Sequence, residues 1–366
     1  MRVILFLHNR YRTTGGEERA VDELQRLVRE ELGEDAQLLE RDSGALGRSR
    51  AAVALLRGGL QPDDVARAVK LTRARVVHAH NVNPQFGWRA LAAAREAGAR
   101  VVLHLHQYRL VCAVGTCFNS LGEDCTRCQG RDTFPGIRLN CRGTGPEAVV
   151  YGIALSAWQR RLVANADAIV VPSAFTADRL RALRAPVGEP FVVPHVIRDY
   201  AQASTAAGGE HALVAGRIAV EKGVEVAAAA CASAGLPLVV AGDGPLLDAL
   251  RSAHPEVRFT GRVSDAELAD LRARAALAIV PSRAAETFGL AAAEAMAAGV
   301  PVVATRMGAL PDLVEDVVAP GDPVALAAAA RERWQDDAAG ERGMARVRER
   351  CAPAVVAQAL ATAYGS

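Results

Sequence analysis

The chain of 366 residues has no uninterrupted apolar run of the roughly 18 residues that a membrane-spanning helix needs. Aromatic side chains are scarce, at 4%. That argues against an aromatic-rich β-sandwich and for Ala- and Val-rich helices packed on parallel strands. Charge of one sign is also lacking: the formal net charge is only +2, so no global field points to nucleic acid and no nucleic-acid partner is expected. The opening MRVILFLHNR has too short an apolar run, and no small-residue cleavage site, to be a secretory signal. Seven cysteines without such a signal read as reduced thiols or metal ligands rather than disulfides. The expectation is a soluble, cytoplasmic protein.

What is present is a repeated alternation of short apolar runs and longer amphipathic segments. Val3–Leu7, Val76–His80, Val101–His106 and Ala168–Val171 read as buried parallel strands, and Gly16–Gly33 as the first helix. The polar, turn-rich stretch Ala201–Glu210 (AQASTAAGGE) reads as a linker. After it the alternation restarts with His211–Ala215, Pro237–Ala241, Val257–Thr260, Leu277–Val280 and Val300–Thr305. Two such series imply two doubly wound α/β domains, residues 1–200 and 201–348, with residues 349–366 as a C-terminal helix returning to the first. In sheets of this kind ligands bind beyond the carboxyl ends of the strands, so the residues just after each strand carry the interest.

Behind Leu277–Val280 comes PSRAAETFG and then LAAAEAMAAG. Glu286 sits in the loop and Glu294 on the following helix, whose first amides, those of Phe288, Gly289 and Leu290, suit polar or anionic groups. Two carboxylates there accept hydrogen bonds from hydroxyls, as on a sugar and a ribose; either one alone is an ordinary solvated charge. Behind His211–Ala215 comes GRIAVEKG, with Arg217 and Lys222 five residues apart. A forked donor and a point charge suit a diphosphate, although surface cations are usually only solvated. VVAGDGP lacks the third glycine of a dinucleotide fingerprint, which excludes NAD there.

In this order, these residues resemble glycosyltransferase family 4, a retaining family of GT-B fold, over nearly the whole chain. The most specific part is E-x7-E, ETFGLAAAE from Glu286 to Glu294, followed by AMAAGVPVVAT. The resemblance implies two Rossmann-like domains facing a central cleft and a nucleotide-sugar donor, a UDP-sugar by default. It puts Glu294 on the donor ribose, Glu286 and the Phe288–Leu290 amides beside the transferred sugar, and Arg217 and Lys222 on the diphosphate. In FTGRV, Arg262 and Val263 would border the nucleobase. No Asp-x-Asp occurs in the sequence, so the two cations would take the place of a catalytic divalent metal, and none is expected. A nucleotide-sugar epimerase, a phosphorylase and a non-catalytic nucleotide-sugar-binding protein are the alternatives.

In the first half, Gly15 and Gly16 precede an acidic helix start, a plain loop by itself and the donor-phosphate loop under the resemblance. His104 and His106 are two apart and share one side of a strand. His106 matches the family's strand-end histidine near the donor sugar. Cys112, Cys125, Cys128 and Cys141, with Cys117 between them, form an insert over residues 112–141. The C-x2-C knuckle flanked by two thiols suits a structural Zn²⁺ or is four reduced cysteines in a loop. A subgroup of the family carries a similar segment. From Ala45 to Arg75, seven cations stand against Asp63 and Asp64. A solvated helix face is favoured there over a membrane or an anionic acceptor. The acceptor, a hydroxyl, is not readable.

Overall fold

A computed structural model describes residues 2–10 and 16–365. The chain divides into two compact units, Met1–Leu121 with Cys125–Val196 and Pro353–Ser366, and Gly122–Asp124 with Ile197–Ala352.

The first unit is built on a six-stranded, all-parallel sheet. Its strands are β1 (Val3–Arg10), β2 (Asp35–Asp42), β3 (Val76–Ala79), β4 (Arg100–His104), β5 (Ala168–Val171) and β6 (Phe191–Val192), in the order β2-β1-β3-β4-β5-β6. The second sheet holds β7 (His211–Ala215), β8 (Leu238–Ala241), β9 (Arg258–Gly261), β10 (Ala275–Val280), β11 (Val302–Thr305) and β12 (Asp316–Val318). Its order is β12-β11-β10-β7-β8-β9, again parallel throughout. β3, β5 and β10 are buried at every position, and β1, β4 and β7 at all but one, because helices cover both faces of a parallel sheet. That is why they read as unbroken apolar runs in the sequence.

Each sheet has one place where successive connections depart in opposite directions. It lies between β1 and β3 in the first unit and between β7 and β10 in the second. A crevice opens at such a switch point beyond the carboxyl ends of the strands.

β2 and β12 are edge strands that the apolar pattern does not reveal. β2 (DAQLLERD) buries only Ala36, since one of its sides has no partner strand. Alternation of polar residues on an edge strand leaves no apolar run to detect. The stretch read as a linker is anchored within the second unit. The Ser204 hydroxyl lies 2.6 Å from the Gly299 carbonyl and 2.8 Å from Asp337, its one proton shared between the two acceptors, and the Ala207 amide donates to Asp337 at 3.0 Å.

The helix Pro353–Tyr364 belongs to the first unit. Val356, Leu360, Ala363 and Tyr364 enter one core with Phe6, Val102 and Val170. Leu360 is completely buried. Replacing it by Ala removes its transfer energy and leaves a cavity, so Leu360→Ala should cost about 2–5 kcal/mol in urea unfolding. A loss below about 0.5 kcal/mol would show that this helix is not part of the first unit's core.

Candidate active site

In the second unit the loops leaving β7 and β10 are joined backbone to backbone. The Arg283 amide donates to the Glu221 carbonyl at 2.8 Å, and that of Ala284 to the same oxygen at 3.2 Å. Gly223, at φ 64°, lets the first loop close on the second: a Cβ there would lie 2.2 Å from the Pro281 carbonyl oxygen. This clamp carries Lys222 to Glu286, 64 residues away, and Nζ donates to Oε1 at 2.6 Å.

The buried Ser282 hydroxyl donates to the same Glu286 oxygen. Ser282 is itself held by the Thr305 hydroxyl, which donates to its carbonyl at 2.5 Å. From the next loop, the Ala309 amide donates to the Glu286 carbonyl at 2.8 Å. Burial pushes the Glu286 carboxyl up, but the Lys222 charge, the hydrogen bonds from Lys222 and Ser282, and Arg217 outweigh it. Its pKa therefore lies below the ordinary glutamate value. Glu286 is an anion at neutral pH, suited to accept hydrogen bonds rather than to deliver a proton.

Arg217 is paired with Glu221, and its side chain remains 58% exposed. The solvent-facing guanidinium is within reach of a further anion, whereas the Glu221 carboxylate, 15% exposed, is largely buried. Gly289 caps the helix Leu290–Ala297 from the left-handed region, at φ 94°. Phe288 is buried, in one core cluster with Leu310 and Leu313. Glu294 is bound by the Arg272 guanidinium, from the helix Asp265–Ala273. Arg262 is exposed and Val263 half-buried, between β9 and that same helix. Ser264 and Glu267 fix the turn by capping each other's backbone amides.

In the first unit, Gly16 begins the helix Gly16–Glu30, whereas Gly15 lies outside the described residues. His106 follows β4 in a layer of imidazoles. His80 Nδ1 bonds His106 Nε2 at 2.8 Å, His104 Nδ1 bonds His78 Nε2 at 3.2 Å, and His78 Nδ1 bonds the Tyr364 hydroxyl at 2.8 Å. The His104 and His106 rings stack at 4.1 Å, and His195 stacks on His106 at 5.7 Å. Burial drives every one of these imidazoles below its ordinary pKa, His78 to about 3 and His195 to about 4. All are neutral at physiological pH, so His106 offers hydrogen bonds and no charge.

Cys112, Cys117, Cys125, Cys128 and Cys141 line one cavity of about 20 Å³, with no disulfide among them. The hydrogen bond from Cys117 brings the Cys112 thiol down to about 6, while burial raises Cys128 to about 11. Among the described residues, the donor atoms that gather in a group of three within 4.8 Å are those of His78, His80 and His104, not the sulfurs. Two of those imidazoles already share a hydrogen bond, and His78 also bonds Tyr364.

A profile of the glycosyl transferase 4-like domain matches residues 2–195, and one of the glycosyl transferases group 1 matches residues 209–336. The chain belongs to the glycosyl transferase 4-like family. Glycogen synthase of Mycobacterium tuberculosis is 33% identical over 231 residues, 57% of this chain and 55% of the relative. A GDP-mannose-dependent alpha-mannosyltransferase of Mycolicibacterium smegmatis is 34% identical over 167 residues, 43% of this chain and 44% of the relative. The chain thus spans about half the length of the curated relatives it matches.

Among solved structures, sucrose-phosphate synthase of Thermosynechococcus elongatus superposes with a TM-score of 0.73 at 17% identity, over 100% of this chain and 98% of that one. Anabaena HepE in complex with UDP gives 0.64 at 18%, over all of both chains. The likeness establishes the fold of this glycosyl transferase 4-like chain, GT-B with two doubly wound α/β units.

The sequence of this family member points to Glu286, Glu294 and His106 but not to what holds them: Ser282 and Thr305 for Glu286, Arg272 for Glu294 and His80 for His106. Ser282, four residues before Glu286, was within reach of a local search. The others come from distant strands and helices.

Because the folded pKa values of His78 and His195 lie below the ordinary 6.5, the unfolded chain binds more protons as pH falls from 6.5 toward 4. Stability is therefore full above pH 6.5 and is lost below it, by about 1.4 kcal/mol per pH unit for each imidazole. Urea midpoints at pH 7 and pH 5 measure this; equal midpoints would contradict the neutral imidazole layer.

Proposed function

We propose that this protein is a glycosyltransferase that moves a sugar from a nucleoside-diphosphate donor to an acceptor hydroxyl. The observation that carries the reading is the Lys222–Glu286 pair at 2.6 Å, with Arg217 near enough to shift the same carboxylate, beyond the two switch-point strands. Both cations rest on carboxylates that a diphosphate replaces through charge-assisted bonds.

In the proposed reaction the bond between the anomeric carbon and the phosphate oxygen breaks, and the oxygen keeps the electron pair. Arg217 and Lys222 neutralise that charge as it develops, the role a divalent metal takes in enzymes with Asp-x-Asp. The acceptor oxygen bonds to the anomeric carbon on the face the phosphate leaves, and its proton passes to the phosphate, with retention of configuration. Glu286, released from Lys222, accepts from the sugar hydroxyls, the Gly289 and Leu290 amides donate to sugar oxygens, and His106 hydrogen-bonds the sugar as well. Glu294, oriented by Arg272, takes the ribose hydroxyls. Arg262 and Val263 border the base, and Gly15 and Gly16 are assigned to the phosphates, as the family resemblance implies.

For the nucleotide, UDP is the expectation of the family resemblance, and HepE was solved with UDP. The mannosyltransferase relatives are named for GDP-mannose. Both donors therefore belong in the assay. Hydrolysis of either sugar nucleotide without acceptor excludes a purely binding role. Lys222→Ala and Glu286→Ala should each lower turnover roughly a hundred- to a thousand-fold, with activity persisting in EDTA; full rates in both variants would overturn the site.

For the cysteine insert, a mark of the proposed family subgroup, we propose a structural zinc. The cavity's 20 Å³ is about the space of one water-sized particle, and its lining is rich in sulfur. A tetrahedral Zn–S site needs sulfurs about 3.8 Å apart. Cys112, Cys125, Cys128 and Cys141 must therefore draw together on binding. Metal analysis of the purified protein should find one zinc, lost in Cys125→Ser with Cys128→Ser. Zinc-free protein with an unchanged melting temperature would dismiss it.

A further inference from the structure

The helix Arg48–Arg57 (RSRAAVALLR) packs beside the helix Gly145–Ala164 in the first unit. Two contacts fix their alignment. Arg48 lies 3.9 Å from Glu147 near the start of both helices, and Trp158 Nε1 donates to the Leu55 and Leu56 carbonyls at 3.1 and 3.2 Å near the far end. The helices therefore run parallel. A third, short helix, Phe134–Arg138, flanks the longer one, tied to it by the Thr133 hydroxyl on the Gly152 carbonyl at 2.7 Å.

Ala54, Leu55, Ala154 and Leu155 face inward and are buried. The neighbouring positions are apolar too, yet they face out. Val53, Leu56, Val149, Ile153 and Phe134 are between 41% and 65% exposed. In Arg48–Arg57 the polar residues that accompany them are arginines with a single serine, and no acid. Arg50, Arg57 and Arg138 are exposed and make no ion pair among the described residues. Against them stand Glu147, shared between Arg48 and Arg142, and Asp132, which holds the Phe134 amide.

A merely solvated helix face would place polar side chains where these apolar ones lie. Apolar side chains interleaved with guanidinium groups match the boundary of an anionic bilayer, where acyl chains receive the first and phosphates the second. A second copy of this chain would bring its own arginines against these, and the like charges would repel.

We infer that this three-helix face docks the protein on an anionic lipid surface. It is carried wholly by the first unit's own residues and stands whether or not the transfer reaction proposed above is correct. The test is co-sedimentation of the full chain with vesicles of phosphatidylcholine alone or mixed with phosphatidylglycerol. Binding should require phosphatidylglycerol and weaken with salt. Each arginine near the surface contributes about five-fold, so Arg48→Ser, Arg50→Ser and Arg57→Ser together should weaken binding on the order of a hundred-fold. Val53→Ser with Ile153→Ser should weaken it as well, and circular dichroism melts check that both variants fold. Absence of binding to the mixed vesicles at low salt overturns the inference, as does undiminished binding by the folded arginine variant. A dimer in light scattering that Val53→Ser with Ile153→Ser dissolves also overturns it, by assigning the face to self-association.

Discussion

The clamp between the loop after β7 and the loop after β10 is the constraint on which the second unit's site depends. Two amides of one loop share the Glu221 carbonyl of the other, and Gly223 meets Pro281 at a distance no side chain would allow. Backbone contacts of this kind are rigid because each removes a buried polar group from the list of unsatisfied ones. Lys222 and Glu286 are delivered by that rigidity, not by their mutual attraction. A partly exposed ion pair is too weak to organise two loops, but it is readily exchanged for a ligand anion once the loops are organised.

The two units meet the demands of a polar ligand differently. The second gathers charges and keeps each on a partner of opposite sign, Lys222 on Glu286, Arg217 on Glu221 and Arg272 on Glu294. The first gathers imidazoles and keeps them uncharged by burial. Neutral rings stack and hydrogen-bond at close range, whereas protonated ones would repel. The layer ends on Tyr364 of the C-terminal helix, which ties the last residues of the chain to the strand β3.

The glycines also show how similar letters serve different ends. VVAGDGP resembles a phosphate-binding turn, but a Cβ at Gly242 would sit 1.8 Å from the Gly216 carbonyl oxygen. That glycine lets two strand-end loops pass each other. The cysteine insert is a similar lesson: spacing brings five thiols to one cavity, and the fold leaves their sulfurs short of a closed tetrahedron.

The central strands were legible in the sequence because parallel strands covered on both faces are apolar at most positions, and β5 and β7 fall where their apolar runs do. The residue types of the proposed site, Glu286, Glu294, Arg217 and Lys222, stood out for a related reason: they follow those strands, where ligands bind in sheets of this kind. Of the edge strands, β9 was anticipated by Val257–Thr260, whereas β2 is interrupted by polar residues and β12 has only 3 residues, so neither shows an apolar run. The partners were not legible either. Lys222 finds Glu286 across 64 residues and His78 finds Tyr364 across 286. Local pattern records which face a residue occupies, but which distant residue shares that face follows only from the order of strands in the sheet.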